Sequence, residues 1–343
     1  MQEQLKDKIM TIVDIAKESG YSVSTVSRVL NNRRDVSPAA KAKIMEIVKA
    51  YNFVPNDNAK NLKQVVSKSI IVLVKGTSNM LFANIIEEIQ SVVDSSDYTA
   101  AVYYLDEDED EIAKALRLCR ERKPLGVLFL GGNPESSINK VNSINVPCVM
   151  VTNRADEVKS PNLSSVATDD AEAAEKAVDF LIENGHTKIA EIGGDLAVSQ
   201  TSIHRHRGCV KSFEKHGLAM NDAYYEKARF SFDSAYRAMM RLLDKKIEIS
   251  AVFAMSDVMA IGAIRAIRDK GLSVPEDISI IGFDGTTLAD YYNPKIVSIR
   301  QGYKQMAVRS VEILLNMIDL NKVATHELIP FTITDGESVK KIN

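Results

Sequence analysis

From residue 69 onward, short and almost wholly apolar runs alternate with amphipathic stretches, which restricts the chain to few architectures. Ile70–Val74 is the first such run, and a strand this continuously apolar has to be covered on both faces. Similar runs follow at Ala100–Leu105, Gly126–Leu130, Pro147–Val151, Lys188–Ile192, Ala251–Ala254 and Ile278–Phe283. Between them, apolar residues recur at helical spacing in Ala83–Val93, Glu111–Arg120, Glu172–Glu183, His206–Lys215 and Val258–Arg268. Strand–helix repetition predicts an α/β body, and so many units predict two doubly wound parallel-sheet subdomains. Ligands of open parallel sheets bind beyond the carboxyl ends of the strands, here in a cleft between the subdomains.

The first 55 residues read differently. Thr11 followed by Asp14 is a helix N-cap in capping-box form, and Ile12, Ile15 and Ala16 make an apolar stripe that ends at Gly20. Ser22 restarts a helix at once, with Val23, Val26, Val29 and Leu30 on its buried side. Two helices joined by so tight a turn form a helix-turn-helix, whose second helix enters the major groove of DNA. On that helix Ser24, Thr25, Ser27 and Arg28 are polar and suited to base edges or phosphates. Ser37-Pro38 opens a third helix. Its Ala42, Ile44, Met45, Ile47 and Val48 should lock the other two, with Tyr51 and Phe53 closing the core. Residues 56–64 are helix-compatible but too polar to bury themselves, so the pattern alone leaves a free linker open.

Charge divides the chain at the same place. Residues 1–68 carry 12 Lys+Arg against 7 Asp+Glu, a net of +5, which leaves 31 against 39, a net of −8, for the rest. A basic head on an acidic body fits a DNA-facing domain joined to one that does not face DNA. Cys119, Cys148 and Cys209 lie in separate apolar segments without metal-type pairing, as expected of buried, reduced thiols in the cytoplasm. No signal-peptide pattern and no long apolar run is present, so neither secretion nor a membrane span is expected.

Val13-Asp-Ile-Ala16, Ser24-Thr-Val-Ser-Arg-Val-Leu-Asn31, Val36-Ser37 and Tyr51-x-Phe-x-Pro-Asn56 occur in an order and spacing that closely resemble the lactose-repressor/purine-repressor family of bacterial transcription regulators. The resemblance continues through Thr168-Asp-Asp170, Asn184-Gly-His186, Ile192-Gly-Gly194, Arg205-x-x-Gly208, Ser256-Asp-x-Met-Ala-x-Gly262, Gly271-Leu-x-Val-Pro275 and Ile281-Gly-Phe-Asp284. Tyr21 departs from the small apolar residue usual at its position. The resemblance implies a DNA-facing set of Thr11, Ser22, Val23, Ser24, Thr25, Ser27, Arg28 and Asn31. It also implies a hinge helix in 56–68, with Ala59 allowing two copies to approach and Leu62 wedging into the minor groove at the centre of a near-palindromic operator. Three domains follow: 1–55, the hinge and linker 56–68, and an effector-binding and dimerisation body 69–343. The body should divide into about 69–168 with 303–332 and about 169–302 with 333–343, a layout similar to periplasmic sugar-binding proteins.

In the body, the resemblance implies that Asp169, Arg205 and Asp284 hydrogen-bond the effector, with Thr201 and Ser256 beside them and Phe82 and Phe232 as aromatic walls. Loop-capping or subdomain-bridging roles are the alternative for the polar residues, and plain core for the two Phe. Lys75 and the basic run His204-Arg205-His206-Arg207 favour an anionic effector such as a sugar phosphate or uronate. His-x-His in a helix diverges and has no third partner, so no metal or other cofactor is expected. The leading function is a repressor of carbohydrate-related genes, a homodimer on operator DNA controlled by a small sugar-like effector. A catabolite-type regulator with a protein corepressor stays open, ahead of a solute-binding protein or an enzyme. No nucleotide-binding glycine loop or nucleophile elbow appears.

Overall fold

The computed structural model describes residues 10–30, 33, 36–51, 53, 68–76, 79–133 and 138–342, the side chains of 138 and 139 excepted. They fall into two compact units, Met1–Ser67 and Lys68–Asn343. Asn31, Ala59 and Leu62 lie outside the described residues.

The head is built from α1 (Ile12–Ser19), α2 (Val23–Leu30) and α3 (Pro38–Ala50). Thr11 caps α1 reciprocally: its backbone N–H donates to Asp14 Oδ2 at 2.9 Å, and its hydroxyl accepts from the Asp14 N–H at 3.3 Å. Gly20 ends the helix at φ 76°, a left-handed conformation that a side chain would strain. Ile15, Ala16, Val26, Val29 and Ile44 form the core, with Tyr21 and Phe53 packed against it. Three expected core residues are exposed instead. Val23 opens α2 on its outer side, Ala42 faces solvent where Ala40 is buried, and Tyr51 lies just past the end of α3.

In the body, the first sheet contains β1 (Ser69–Lys75), β2 (Thr99–Leu105), β3 (Gly126–Leu130), β4 (Cys148–Val151), β5 (Leu163–Ala167) and a late strand at His326–Leu328. Helices α4 (Met80–Asp94), α5 (Glu111–Arg122) and the short α6 (Ile138–Val141) connect its first four strands. After β5 the chain enters the second half through α7 (Asp170–Glu183), β6 (Ile189–Gly193), α8 (Gln200–Lys215), β7 (Tyr225–Lys227), α9 (Phe232–Asp244) and β8 (Ala251–Ala254). This half continues with α10 (Asp257–Asp269), β9 (Ser279–Asp284), α11 (Thr287–Tyr291) and β10 (Val297–Gln301). Helix α12 (Tyr303–Leu320) then returns to the first half, followed by β11 (His326–Leu328) and β12 (Phe331–Ile333).

The strand orders are β11-β5-β4-β3-β1-β2 and β12-β10-β9-β8-β6-β7, parallel throughout except that β12 runs antiparallel to β10. The segment His326–Ile333 is two short strands that belong to different sheets. The last crossing falls between Leu328 and Phe331, so Phe331 and Thr332 belong to the second sheet instead of the first. Residues hidden on both faces explain the unbroken apolar runs: Ile70–Val74 is buried throughout, as is Ala251–Ala254. Tyr225–Lys227 and Val297–Gln301 do not stand out as such runs, because one is a short edge strand and the other carries polar residues. Among the described residues no helix is long and apolar enough to cross a membrane.

Helices α7 and α8 approach closely at Gly208, where a Cβ would lie 2.2 Å from the Ala171 carbonyl oxygen and 2.8 Å from the Glu175 nitrogen. Both are backbone atoms, so the helices must separate to admit a methyl group. Gly208→Ala should destabilise the body by about 1–3 kcal/mol. A lowered melting temperature in calorimetry checks this, and an unchanged one contradicts it.

Candidate functional site

The carboxyl ends of both sheets converge on one cavity of about 700 Å³. Lys75 and Gly76 follow from β1, Gly131 and Gly132 from β3, Thr152 and Asn153 from β4, Gly194 from β6, Ala228 from β7, while Asp284 ends β9 and Gln301 ends β10. Two non-glycine residues at these strand ends are in left-handed backbone, Thr152 at φ 78° and Asp284 at φ 111°. A side chain tolerates that region only where its surroundings hold it there.

At Asp284 the hold is visible. Just below it, buried Asp257 accepts from the Thr286 N–H at 2.6 Å and hydroxyl at 2.8 Å, and from Ser298 Oγ at 2.5 Å. The Asp284 carboxylate accepts from Gln301 Nε2 at 2.8 Å and from Asn79 Nδ2 at 3.2 Å. Asn79 caps α4 of the first half, its Oδ1 accepting from the Leu81 N–H at 2.9 Å, so its amide group reaches across the cleft. Gln301 in turn accepts from the Thr168 hydroxyl at 2.9 Å, joining two of the crossing segments. On the other wall Asn153 donates to Gly132 O at 2.9 Å and, across the cleft, to Gln200 Oε1 and Thr201 Oγ1, both at 3.2 Å. Asn133 Nδ2 donates to Val198 O at 2.9 Å. At the mouth Arg229 pairs with Asp106 and Asp108.

Phe82, Thr201, Arg205 and Asp284 line this cavity, and three other expected residues do not. Asp169 caps α7, accepting from the Glu172 N–H at 3.1 Å, and pairs with Arg154 at 3.3 Å. Ser256 is wholly buried and caps α10 through the Met259 N–H at 3.2 Å. Phe232 is the first residue of α9, which turns its ring to a shallow outer groove with Tyr236 and Tyr292. Phe230, two residues earlier, supplies the aromatic wall instead. Asn79, Asn153, Gln200 and Gln301 were missed, since an isolated amide carries no distinctive pattern. Asn79 alone had a local signal, as an N-cap before an apolar helix.

The basic run at 204–207 does not make the cleft cationic. Of its residues only Arg205 lines the cavity. Its Nε donates to buried Asp170 at 2.9 Å, Nη1 donates to Met255 O, and the guanidinium lies 3.5 Å over the Phe283 ring. His206 points elsewhere, to Glu191 at 3.0 Å. Lys75 pairs with Glu111 at 2.7 Å and Lys227 with Asp195 at 2.9 Å. Among the described residues, four cations and seven carboxylates line the cavity, and each of those cations has a carboxylate within ion-pair distance. The lining is thus net acidic with its cations paired, so the basic run lends an anionic effector no support from the cavity itself.

Burial pushes the Asp284 carboxyl up to about 7 against the opposing influence of Arg205, and neighbouring Asp257 raises it further. The ordinary carboxylate value is 3.8, so the folded protein binds this proton more tightly than the unfolded chain does. Stability attributable to Asp284 therefore falls as pH rises from about 4 through about 7. The ligand-free protein should melt higher at pH 5.5 than at pH 8, by a margin that Asp284→Asn reduces. Equal pH slopes for both proteins would contradict this; the test is differential scanning calorimetry in matched buffers.

Residues 11–56 match the family described as bacterial regulatory proteins, lacI family, and residues 178–339 match the periplasmic binding protein-like domain. The chain is 36% identical over 334 residues to the HTH-type transcriptional regulator MalR of Clostridium butyricum, covering 96% of this chain and 99% of the relative. Its fold is shared with a lac repressor dimer bound to operator and an anti-inducer (TM-score 0.75, 24% identity, 97% and 100% covered). The transcriptional regulator CelR in its cellobiose complex is comparable (TM-score 0.71, 24% identity, 96% and 99% covered). A helix-turn-helix head, a body of two parallel sheets around one cleft and similarity along the whole length converge: the chain belongs to the LacI family of bacterial transcriptional regulators.

Proposed function

We propose that the protein is a homodimeric repressor of carbohydrate-related genes that reads a near-palindromic operator and is controlled by a neutral, polyhydroxylated effector in the cleft. The observation that carries the effector class is the set of side-chain amides, hydroxyls and one carboxylate at the strand ends, between Phe82 and Phe230, with the lining cations paired. Amides and carboxylates bridge adjacent sugar hydroxyls, and aromatic faces cover the apolar side of a pyranose ring. The cellobiose held by CelR, a protein of the same fold, supports the class.

In the head, Ser22, Val23, Ser24 and Arg28 are exposed on one side of α2. The Ser22 hydroxyl is 2.7 Å from Ser24 Oγ and 2.9 Å from Thr25 Oγ1, a cluster of short donors suited to phosphates and base edges beside the long reach of Arg28. A two-fold dimer doubles the base pairs read by one such helix, which favours a near-palindromic site. Ala59 and Leu62 complete the proposal as the hinge contact and the minor-groove wedge.

A thermal-shift panel of neutral mono- and disaccharides, their phosphate esters and uronates tests the effector class. At least one neutral sugar should raise the melting temperature, since a ligand at 100 times its Kd stabilises by about 2.7 kcal/mol. Asn79→Ala, which removes a cross-cleft hydrogen-bond donor, should weaken that sugar by about threefold to tenfold. A shift with phosphate esters or uronates and with no neutral sugar would overturn the proposed class.

A further inference from the structure

The body begins at Lys68, immediately after the linker, and four side chains are gathered there outside the cleft. Lys68 Nζ lies 5.4 Å over the ring of Tyr98 and 3.2 Å from Asp97, while its carbonyl accepts from the Thr99 N–H at 3.0 Å. Tyr98 is nearly buried, and its hydroxyl donates to Asp319 Oδ1 at 2.5 Å. Asp319 is the penultimate residue of α12, so the anchor of the first body residue is itself anchored on that helix. Burial, reinforced by the Asp319 carboxylate, pushes the Tyr98 hydroxyl up to about 12, which keeps it protonated as a donor.

Helix α12 is well placed to make this anchor matter. It begins directly after Gln301 and Gly302, and Gln301 bonds Asp284 on the cleft floor. Its 18 residues span about 27 Å at 1.5 Å per residue, so one end stands at the cleft and the other at the start of the body. Met306, Val311 and Leu314 are buried in the core of the first sheet, and a Cβ on Gly126 would meet Leu314 Cδ1 at 2.8 Å, so the helix is seated tightly. Tyr98 lies in that same core.

We propose that Tyr98 and Asp319 are positioning residues for operator binding, which fix the point where the linker leaves the body at Lys68 through the helix that starts on the cleft floor. Neither residue touches DNA in this role. Their effect is to limit the orientations available to the linker and thus to the head, which favours a binding mode requiring two heads at fixed spacing over one that does not.

The test uses the full chain and a duplex selected by the wild-type protein from a random-sequence pool, with an unrelated duplex at low salt as the non-specific control. Tyr98→Phe removes the hydroxyl and leaves the ring, and Asp319 is exposed, so no buried charge is stranded. This variant should bind the selected duplex about fivefold or more weakly, with unchanged affinity for the unrelated duplex and a melting temperature lowered by no more than a few degrees. Asp319→Asn keeps an acceptor and should retain affinity for the selected duplex. Tyr98→Phe combined with Asp319→Ala should be no worse than Tyr98→Phe alone, because both remove one bond. Wild-type affinity in Tyr98→Phe, an equal loss on both duplexes, or a loss accounted for by unfolding at the assay temperature would each overturn the proposal. If Tyr98→Phe does not fold, Asp319→Ala at its exposed position gives the same readout.

Discussion

The Asp284 carboxylate accepts hydrogen bonds from Asn79 of the first subdomain and from Gln301 of a crossing segment, and the site is arranged around that junction. Keeping it there requires a left-handed residue at the end of β9, an unusual conformation braced from below by Asp257. The cost of burying a carboxylate appears as its raised proton affinity. A ligand with adjacent hydroxyls can take over the same donors and acceptors, so the groups that hold the halves together are the groups that would recognise it.

Charge in the cleft has a different task. Lys75, Arg205 and Lys227 each face a carboxylate, and Arg229 at the mouth faces three. Arg205 is the instructive case, since its planar group stacks on Phe283 while its charge opposes the upward push that burial gives the Asp170 carboxyl. It is as much a pillar of the second sheet as a wall of the cavity. Residues of this kind make poor probes of ligand contact, because removing one partner of a buried pair destabilises by about 3–5 kcal/mol. The amides carry no such burden.

Much of the fold was legible in the sequence because buried parallel strands and capped helices leave strong patterns. Ile70–Val74 reads as a strand with no help from its neighbours, and Thr11 with Asp14 fixes a helix start to the residue. Short edge strands such as Tyr225–Lys227 do not, since three residues show no period. That Leu328 and Phe331 join different sheets was hidden for a related reason: apolar composition shows that a segment is buried but not in which sheet. The site was half legible. Asp284 and Arg205 could be placed at strand and helix ends, whereas Asn79, Asn153 and Gln301 matter through partners far away in sequence. At Lys75 and 204–207 only the cations were legible, because a run of cations does not reveal the carboxylates it will meet.

If the cleft controls the head, occupancy of one must change the affinity of the other, since a ligand acts only through its differential affinity for two states. The most direct measurement is operator affinity of the full-length protein by fluorescence anisotropy, with and without the neutral sugar that raises the melting temperature of the body. A change of about fivefold or more, reached in Asn79→Ala only at about threefold to tenfold higher sugar concentration, is the result expected from the arrangement around Asp284. Unchanged operator affinity at a sugar concentration that fully shifts the melting temperature would contradict the coupling of cleft to head.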